Sequence, residues 1–205
     1  MKFAIVGAPE SGKTAVAKSV ARRLRKDGLT VKIIDNYVDG LTKTTDLAYG
    51  HFATYQLNFQ LLFYRWTLEQ EAVKDGYDVI LTCGSIYETT TYCLLCNNRT
   101  WVKTPEDVLA HVIGKTCMEF MSTIDFLISD YYHIFRLPYT DKKLSEKGDS
   151  WDTVIDKKLP EVIDGYFKYA TVLDGTQKEN TDLAINIINN IRESAAILES
   201  KQSTI

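Results

Sequence analysis

Apolar residues in this chain fall into short runs separated by longer stretches of helical periodicity. The runs at residues 2–6, 31–34, 78–82, 133–137 and 170–173 have the length and composition of buried strands. After the first run, Val16, Val20 and Leu24 recur at four-residue spacing with Ala17 and Ala21 beside them, which predicts an amphipathic helix. Gly28 suits the position just past its end, and Arg22, Arg23, Arg25 and Lys26 fall where the helix dipole favours cations. Further helices are predicted over 53–74, closed by Asp75-Gly76, after Ser85, from Pro105 to about residue 129, over 151–167 and over 182–198. Residues 36–50 read as a loop. Strands alternating with helices predict an α/β fold, a doubly wound parallel sheet with helices on both faces.

Composition narrows the classes open to such a chain. At 205 residues, 45% hydrophobic and 25% charged, it reads as a single domain over 1–205, with no repeat and no low-complexity linker. A net charge of −3 gives no global basic footprint, so a DNA partner would need a local patch. The first apolar run is too short for a signal segment, and no stretch is long and apolar enough to span a membrane, so a cytoplasmic location is expected. Cys93 and Cys96 form a C-x-x-C, but no second pair completes a zinc site; with Cys83 and Cys117 they read as reduced, packed thiols. The 105–129 helix, with Trp101 ahead of it, is either a homodimer surface or an ordinary layer of the fold.

The specific chemical signal is Gly7-Ala8-Pro9-Glu10-Ser11-Gly12-Lys13-Thr14, which satisfies G-x-x-x-x-G-K-[ST]. A strand enters it and an amphipathic helix leaves it, as a phosphate-cradling P-loop requires. Gly7 and Gly12 let the loop curl so that backbone N–H groups, those of Glu10 and Ser11 among them, face phosphate oxygens. The helix beginning near Lys13 adds its positive end. Lys13 is placed to reach the β- and γ-phosphates of ATP, and Thr14 to offer its hydroxyl to Mg²⁺.

Three weaker features narrow the use of that nucleotide. Asp35 ends the second strand on the ligand edge of the sheet, where a carboxylate holds Mg²⁺ through water or takes a proton from an attacking hydroxyl. Asp39 is a second candidate for that task, and a plain turn-capping role is the alternative for Asp35. The 53–74 helix carries Tyr55, Phe59 and Phe63 on one face, with Gln56 and Gln60 adjacent. Aromatic walls stack planar bases and an amide both donates and accepts hydrogen bonds, so Tyr55 and Gln60 are candidate substrate residues. Arg65 would orient a hydroxyl or phosphate. The same stripe equally suits a core. The polar run at 139–150 carries Lys142, Lys143 and Lys147, with Arg136 in the strand before it, and is either a cationic lid or a solvated loop.

Taken together, GAPESGKT after a first strand, Asp35 closing the second strand and a lid before the penultimate helix resemble the P-loop nucleoside and nucleotide kinases, in particular small viral and bacterial members similar to the ribosylnicotinamide kinase domain. Phe59-Gln60 followed by Arg65 resembles the base-reading helix of deoxynucleoside kinases, and V-L-D-G-T at 172–176 the family's loop beside adenine. The resemblance implies a three-layer P-loop NTPase sandwich with a five-stranded parallel sheet in the order 2-3-1-4-5. It implies ATP- and Mg²⁺-dependent phosphoryl transfer to a small-molecule nucleoside or nucleoside monophosphate. Strand three departs from the pattern, ending Thr82-Cys83-Gly84-Ser85 where many relatives place an acid. The lid offers lysines, point charges without the bidentate fork of arginine. Two other readings therefore stand beside the first: a kinase acting on a hydroxylated base in DNA, and a nucleotide-binding regulatory ATPase without a small acceptor.

Overall fold

In a computed structural model, residues 1–7, 11–35, 55–85, 88–89, 131–138 and 170–202 are described. The chain runs β1 (Lys2–Gly7), α1 (Lys13–Lys26), β2 (Val31–Ile34), α2 (Tyr55–Lys74), β3 (Val79–Cys83), β4 (His133–Leu137), β5 (Ala170–Val172) and α3 (Gln177–Gln202). The five strands form one sheet in the order β2-β3-β1-β4-β5. All four pairings are parallel, with Ile5 opposite Cys83 and Phe135, and Gly7 opposite Leu137. The expected order 2-3-1-4-5 and its parallel sense are thus observed.

Strand alternation sorts the side chains into two faces. Phe3, Ile5, Val31, Val79, Leu81, Cys83, Phe135 and Leu137 cluster with Val16, Ala17, Val20, Ala21 and Leu24 of α1 and with Ala184, Ile185 and Ile188 of α3. On the other face, Ile34 and Ile80 meet Ala72 of α2, flanked by Leu68 and Tyr77. Helices therefore cover both faces, giving three layers. The α2 layer is tied on by polar groups as well: buried Lys2 pairs with Glu69 at 2.8 Å, and Glu69 accepts from the Tyr131 hydroxyl at 2.7 Å. Burial of the Tyr131 phenol drives its pKa well above the ordinary value, so it remains a donor at every working pH.

Helix α1 ends as its sequence predicts. Gly28 takes φ 86, the Leu29 N–H reaches the Leu24 carbonyl at 3.1 Å, and the Gly28 N–H reaches Arg25 at 3.1 Å. This is a Schellman closure, with Leu29 packed on the core beside Leu24. Two of the basic residues act structurally: Arg25 donates to the Val31 carbonyl at 2.7 Å, and Arg23 forms an ion pair with Asp182 of α3.

The last helix corrects the expected boundary, beginning at Gln177 rather than 182. The Thr176 hydroxyl accepts from the Glu179 N–H at 3.3 Å, and the Glu179 carboxylate accepts from the Thr176 N–H at 2.8 Å. This capping box was legible as T-x-x-E, and it holds the Glu179 pKa below the usual carboxylate value. Among the described residues, no helix is long and apolar enough to cross a membrane.

His133 supplies a pH signature for the sheet. Its ring Nε2 lies 2.8 Å from the Thr171 hydroxyl on β5, and burial lowers its pKa below 6.5. Between the lowered and the ordinary value the unfolded chain binds the proton more readily, so this contribution is whole above about pH 6.5 and is lost as pH falls through the folded value. Thermal melts from pH 7.5 to 5 should show a larger fall in Tm for the native chain than for His133→Gln. Parallel curves would remove His133 from the acid response.

Candidate active site

The centre of the sheet builds the site. β1 delivers its carbonyl edge to the P-loop, and α1 leaves it beneath the C-terminal ends of β1, β3 and β4. Gly7 must lack a side chain: a Cβ there would stand 2.5 Å from the Leu137 carbonyl oxygen and 2.6 Å from Ser11 Oγ. Gly12 precedes the first turn of α1 with φ 97 and ψ 12, a left-handed geometry that favours glycine. As a glycine it offers no side-chain cap, and the first turn holds no acid, so the opening N–H groups of α1 present a positive end suited to an anion. Ala8, Pro9 and Glu10 lie outside the described residues.

Lys13 donates from Nζ to the Gly7 carbonyl at 2.5 Å and forms an ion pair with Glu88 Oε1 at 3.2 Å. Cys83, at the end of β3, lies close to the Thr14 side chain. Burial raises the Cys83 thiol to about 11, with Asp35 and Glu88 pushing the same way and Thr14 and Lys13 opposing. Asp35, Glu88 and Lys13 thus lie near enough to Cys83 to act on it electrostatically, and Cys83 stays a neutral thiol at neutral pH. Asp35 follows β2 directly and is half-buried; the β2–β3 register, Ile34 opposite Thr82, sets it beside Cys83.

Glu88 is the residue that sequence reasoning missed. It lies in a helical turn after β3, where the Ser85 hydroxyl accepts its N–H at 3.3 Å and the Ser85 carbonyl accepts the Thr89 N–H at 3.2 Å. The S-x-x-E spacing marks that turn as a helix start. The proximity of Glu88 to Lys13 depends on β3 lying beside β1, which spacing alone does not reveal.

A cleft of about 190 Å³ opens beside the P-loop, lined by Ser11, Ala15, Leu137, Pro138, Asp174 and Asn180, among others. Asn180 shapes its far wall: its amide accepts the Gly175 N–H at 3.0 Å and donates to the Gly175 carbonyl at 2.9 Å and the Leu173 carbonyl at 3.3 Å.

The other predicted residues fall as follows. Gln60 is half-buried on α2, and its Oε1 is buried with no hydrogen-bond partner. Tyr55 opens α2, but its side chain lies outside the described residues. Arg65 is 2% exposed, with Nη1 3.5 Å from Thr89 Oγ1, so it belongs to the interior behind the Glu88 turn and not to an open cleft wall. Arg136 is half-buried within β4, in register with Val6, and its carbonyl accepts the Leu173 N–H at 2.8 Å. The 139–150 lid with Lys142, Lys143 and Lys147, together with Asp39, Cys93, Cys96 and the 105–129 helix, lies outside the described residues.

The residues present fit a phosphate ligand with its cation. Among the described residues Ser11 Oγ is buried without a hydrogen-bond partner beside a helix start that offers N–H groups, so it is free to donate to a phosphate oxygen. Thr14 and Asp35 are the hydroxyl and carboxylate that would hold Mg²⁺, through oxygen ligands and water. Among the described residues no cluster of three or more His, Cys, Asp or Glu forms a metal cage. A P-loop does not require one, because the nucleotide supplies much of the coordination.

The chain has a P-loop NTPase-like α/β fold. It superposes on the NadR protein solved in complex with NR with a TM-score of 0.68, over 93% of this chain and 49% of that one, at 12% identity. The NadR protein in complex with NAD and AMP-PNP gives 0.63 at 9% identity, with 93% and 49% covered. Thymidylate kinase from Candida albicans gives 0.62 at 16% identity, over 93% of this chain and 92% of that one. The chain therefore spans about half the length of the NadR chain. No family model and no curated protein sequence matches it.

Proposed function

We propose that this protein transfers the γ-phosphoryl group of ATP to a hydroxyl or phosphate of a small nucleoside or nucleoside monophosphate. The observation that carries the reading is the Lys13–Glu88 pair at the uncapped start of α1, with Thr14 in that first turn and Asp35 at the end of β2, on the carbonyl edge of a 2-3-1-4-5 sheet. In this reading the N–H groups of the P-loop hold the phosphates, and Lys13 spreads the charge that develops on the transferring group. Mg²⁺, which Thr14 and Asp35 would hold, would supply further charge neutralisation. Ser11, Pro138 and the Asn180-braced 173–175 loop form the wall for the adenine end. Asp35 orients the acceptor and takes its proton, and Gln60, with a buried carbonyl oxygen awaiting a donor, reads the acceptor base.

The test is ADP release from Mg²⁺-ATP against a panel of nucleosides, deoxynucleosides and their monophosphates. Large stimulation by one acceptor is expected. Uniform inactivity with intact ATP binding would sink the reading, and retention on DNA that falls steeply with salt would favour a DNA-base kinase instead. Once an acceptor is known, Asp35→Asn should lower kcat by about 10²-fold or more while the ATP Kd moves less than about threefold. Equal losses in both would leave Asp35 with metal holding alone and remove it from proton acceptance.

A further inference from the structure

We propose that Glu88 is an exchangeable counter-ion for the P-loop lysine: it holds Lys13 in place before nucleotide binds and surrenders it to the β/γ-phosphates when nucleotide arrives. This goes beyond the kinase reading, since it assigns a role in nucleotide entry to a residue outside the motif. Two observations support it independently. Glu88 Oε1 lies 3.2 Å from Lys13 Nζ, and the side chains of the pair are only 7% and 15% exposed. Glu88 Oε2 is buried and has no hydrogen-bond partner among the described residues, so the carboxylate is only half satisfied by them.

A half-satisfied buried carboxylate is costly, and in a purely structural ion pair the second oxygen would be expected to find a backbone or hydroxyl donor. The local turn offers one alternative, because a glutamate three residues after a serine cap commonly turns back to the serine N–H. Here the Ser85 hydroxyl takes the Glu88 N–H, but the carboxylate points to Lys13. The charge of Lys13 is thereby balanced by Glu88, and its Nζ also donates to the Gly7 carbonyl. An arriving triphosphate competes with Glu88 for the same ammonium. Glu88 is therefore a positioning residue acting through Lys13, and it weakens nucleotide binding. The arrangement also places an acid just beyond β3, three residues past Ser85, where the strand itself ends in Cys83.

The test is the affinity of the full chain for metal-free ATP, ADP and adenosine, measured by calorimetry in EDTA for the native protein, Glu88→Gln, Lys13→Met and the double variant. Glu88→Gln should tighten ATP and ADP by about tenfold and leave adenosine unchanged. In the Lys13→Met background the same substitution should change ATP affinity less than about twofold, because the partner is gone. Unchanged or weaker ATP binding by Glu88→Gln, or an equal gain in both backgrounds, would overturn the proposal. Glu88→Asp, with its carboxylate drawn back, should fall between native and Gln, and it serves as the second variant if Glu88→Gln folds poorly. A native chain that binds ATP but releases no ADP with any acceptor would defeat the kinase reading, and the affinity arms would still decide the role of Glu88.

Discussion

Lys13→Ala is expected to remove turnover, with kcat falling by at least about 10²–10³-fold, the loss typical for one preorganised charge-stabilising donor. The cause is specific to the transition state. Nζ lies at the mouth of the loop, 2.5 Å from the Gly7 carbonyl, within reach of the β/γ-phosphates that a nucleotide would place there. The same substitution has a second consequence that only the structure reveals: it strands the Glu88 carboxylate, 5% exposed, without its cation. Breaking a buried pair from one side costs several kcal/mol at full burial, on the order of 3–5. Lys13 is 15% exposed and water can enter, so a smaller loss, about 1–3 kcal/mol, is expected in denaturant unfolding. Adding Glu88→Gln should recover most of that stability and none of the turnover. Unchanged turnover in Lys13→Ala would remove the P-loop from the chemistry.

Gly7→Ala should be nearly as damaging by a different route. Its Cβ would sit 2.5 Å from the Leu137 backbone oxygen, and backbone in a central parallel pair has no rotamer by which to yield. Either the β1–β4 register opens at its end or the P-loop is pushed outward. We expect a loss of about 1–3 kcal/mol in stability, the usual cost of overpacking. ATP binding should weaken by at least about tenfold, because the displaced loop no longer aims its N–H groups at one point. Native affinity for ATP in Gly7→Ala would mean that the loop curls without the close approach to Leu137.

Much of this was readable in the residues, for local reasons. Strand runs, the Val16/Val20/Leu24 stripe, the Gly28 closure and the P-loop depend on neighbours a few positions apart, so periodicity and turn chemistry report them directly. The T-x-x-E box at Thr176 was equally local; passing over it cost five residues at the start of α3. Arg65 shows the opposite case. A charged residue on a helix reads as exposed or ligand-facing, yet here it is 2% exposed, because α2 lies flat on the sheet and the turn with Thr89 comes up against it. Its burial is a property of layer packing.

By itself, then, the sequence determined the five strands, helix α1, the parallel α/β class and a P-loop motif containing Lys13 and Thr14, because each rests on short-range spacing. The order of strands was reached only through a resemblance, and the structure decided it by setting β3 and β4 on either side of β1. That placement brings Leu137 against Gly7, Asp35 beside Cys83 and Glu88 onto Lys13. Those contacts join positions tens of residues apart. No local pattern encodes them, because the free energy that selects them is the burial of two sheet faces at once.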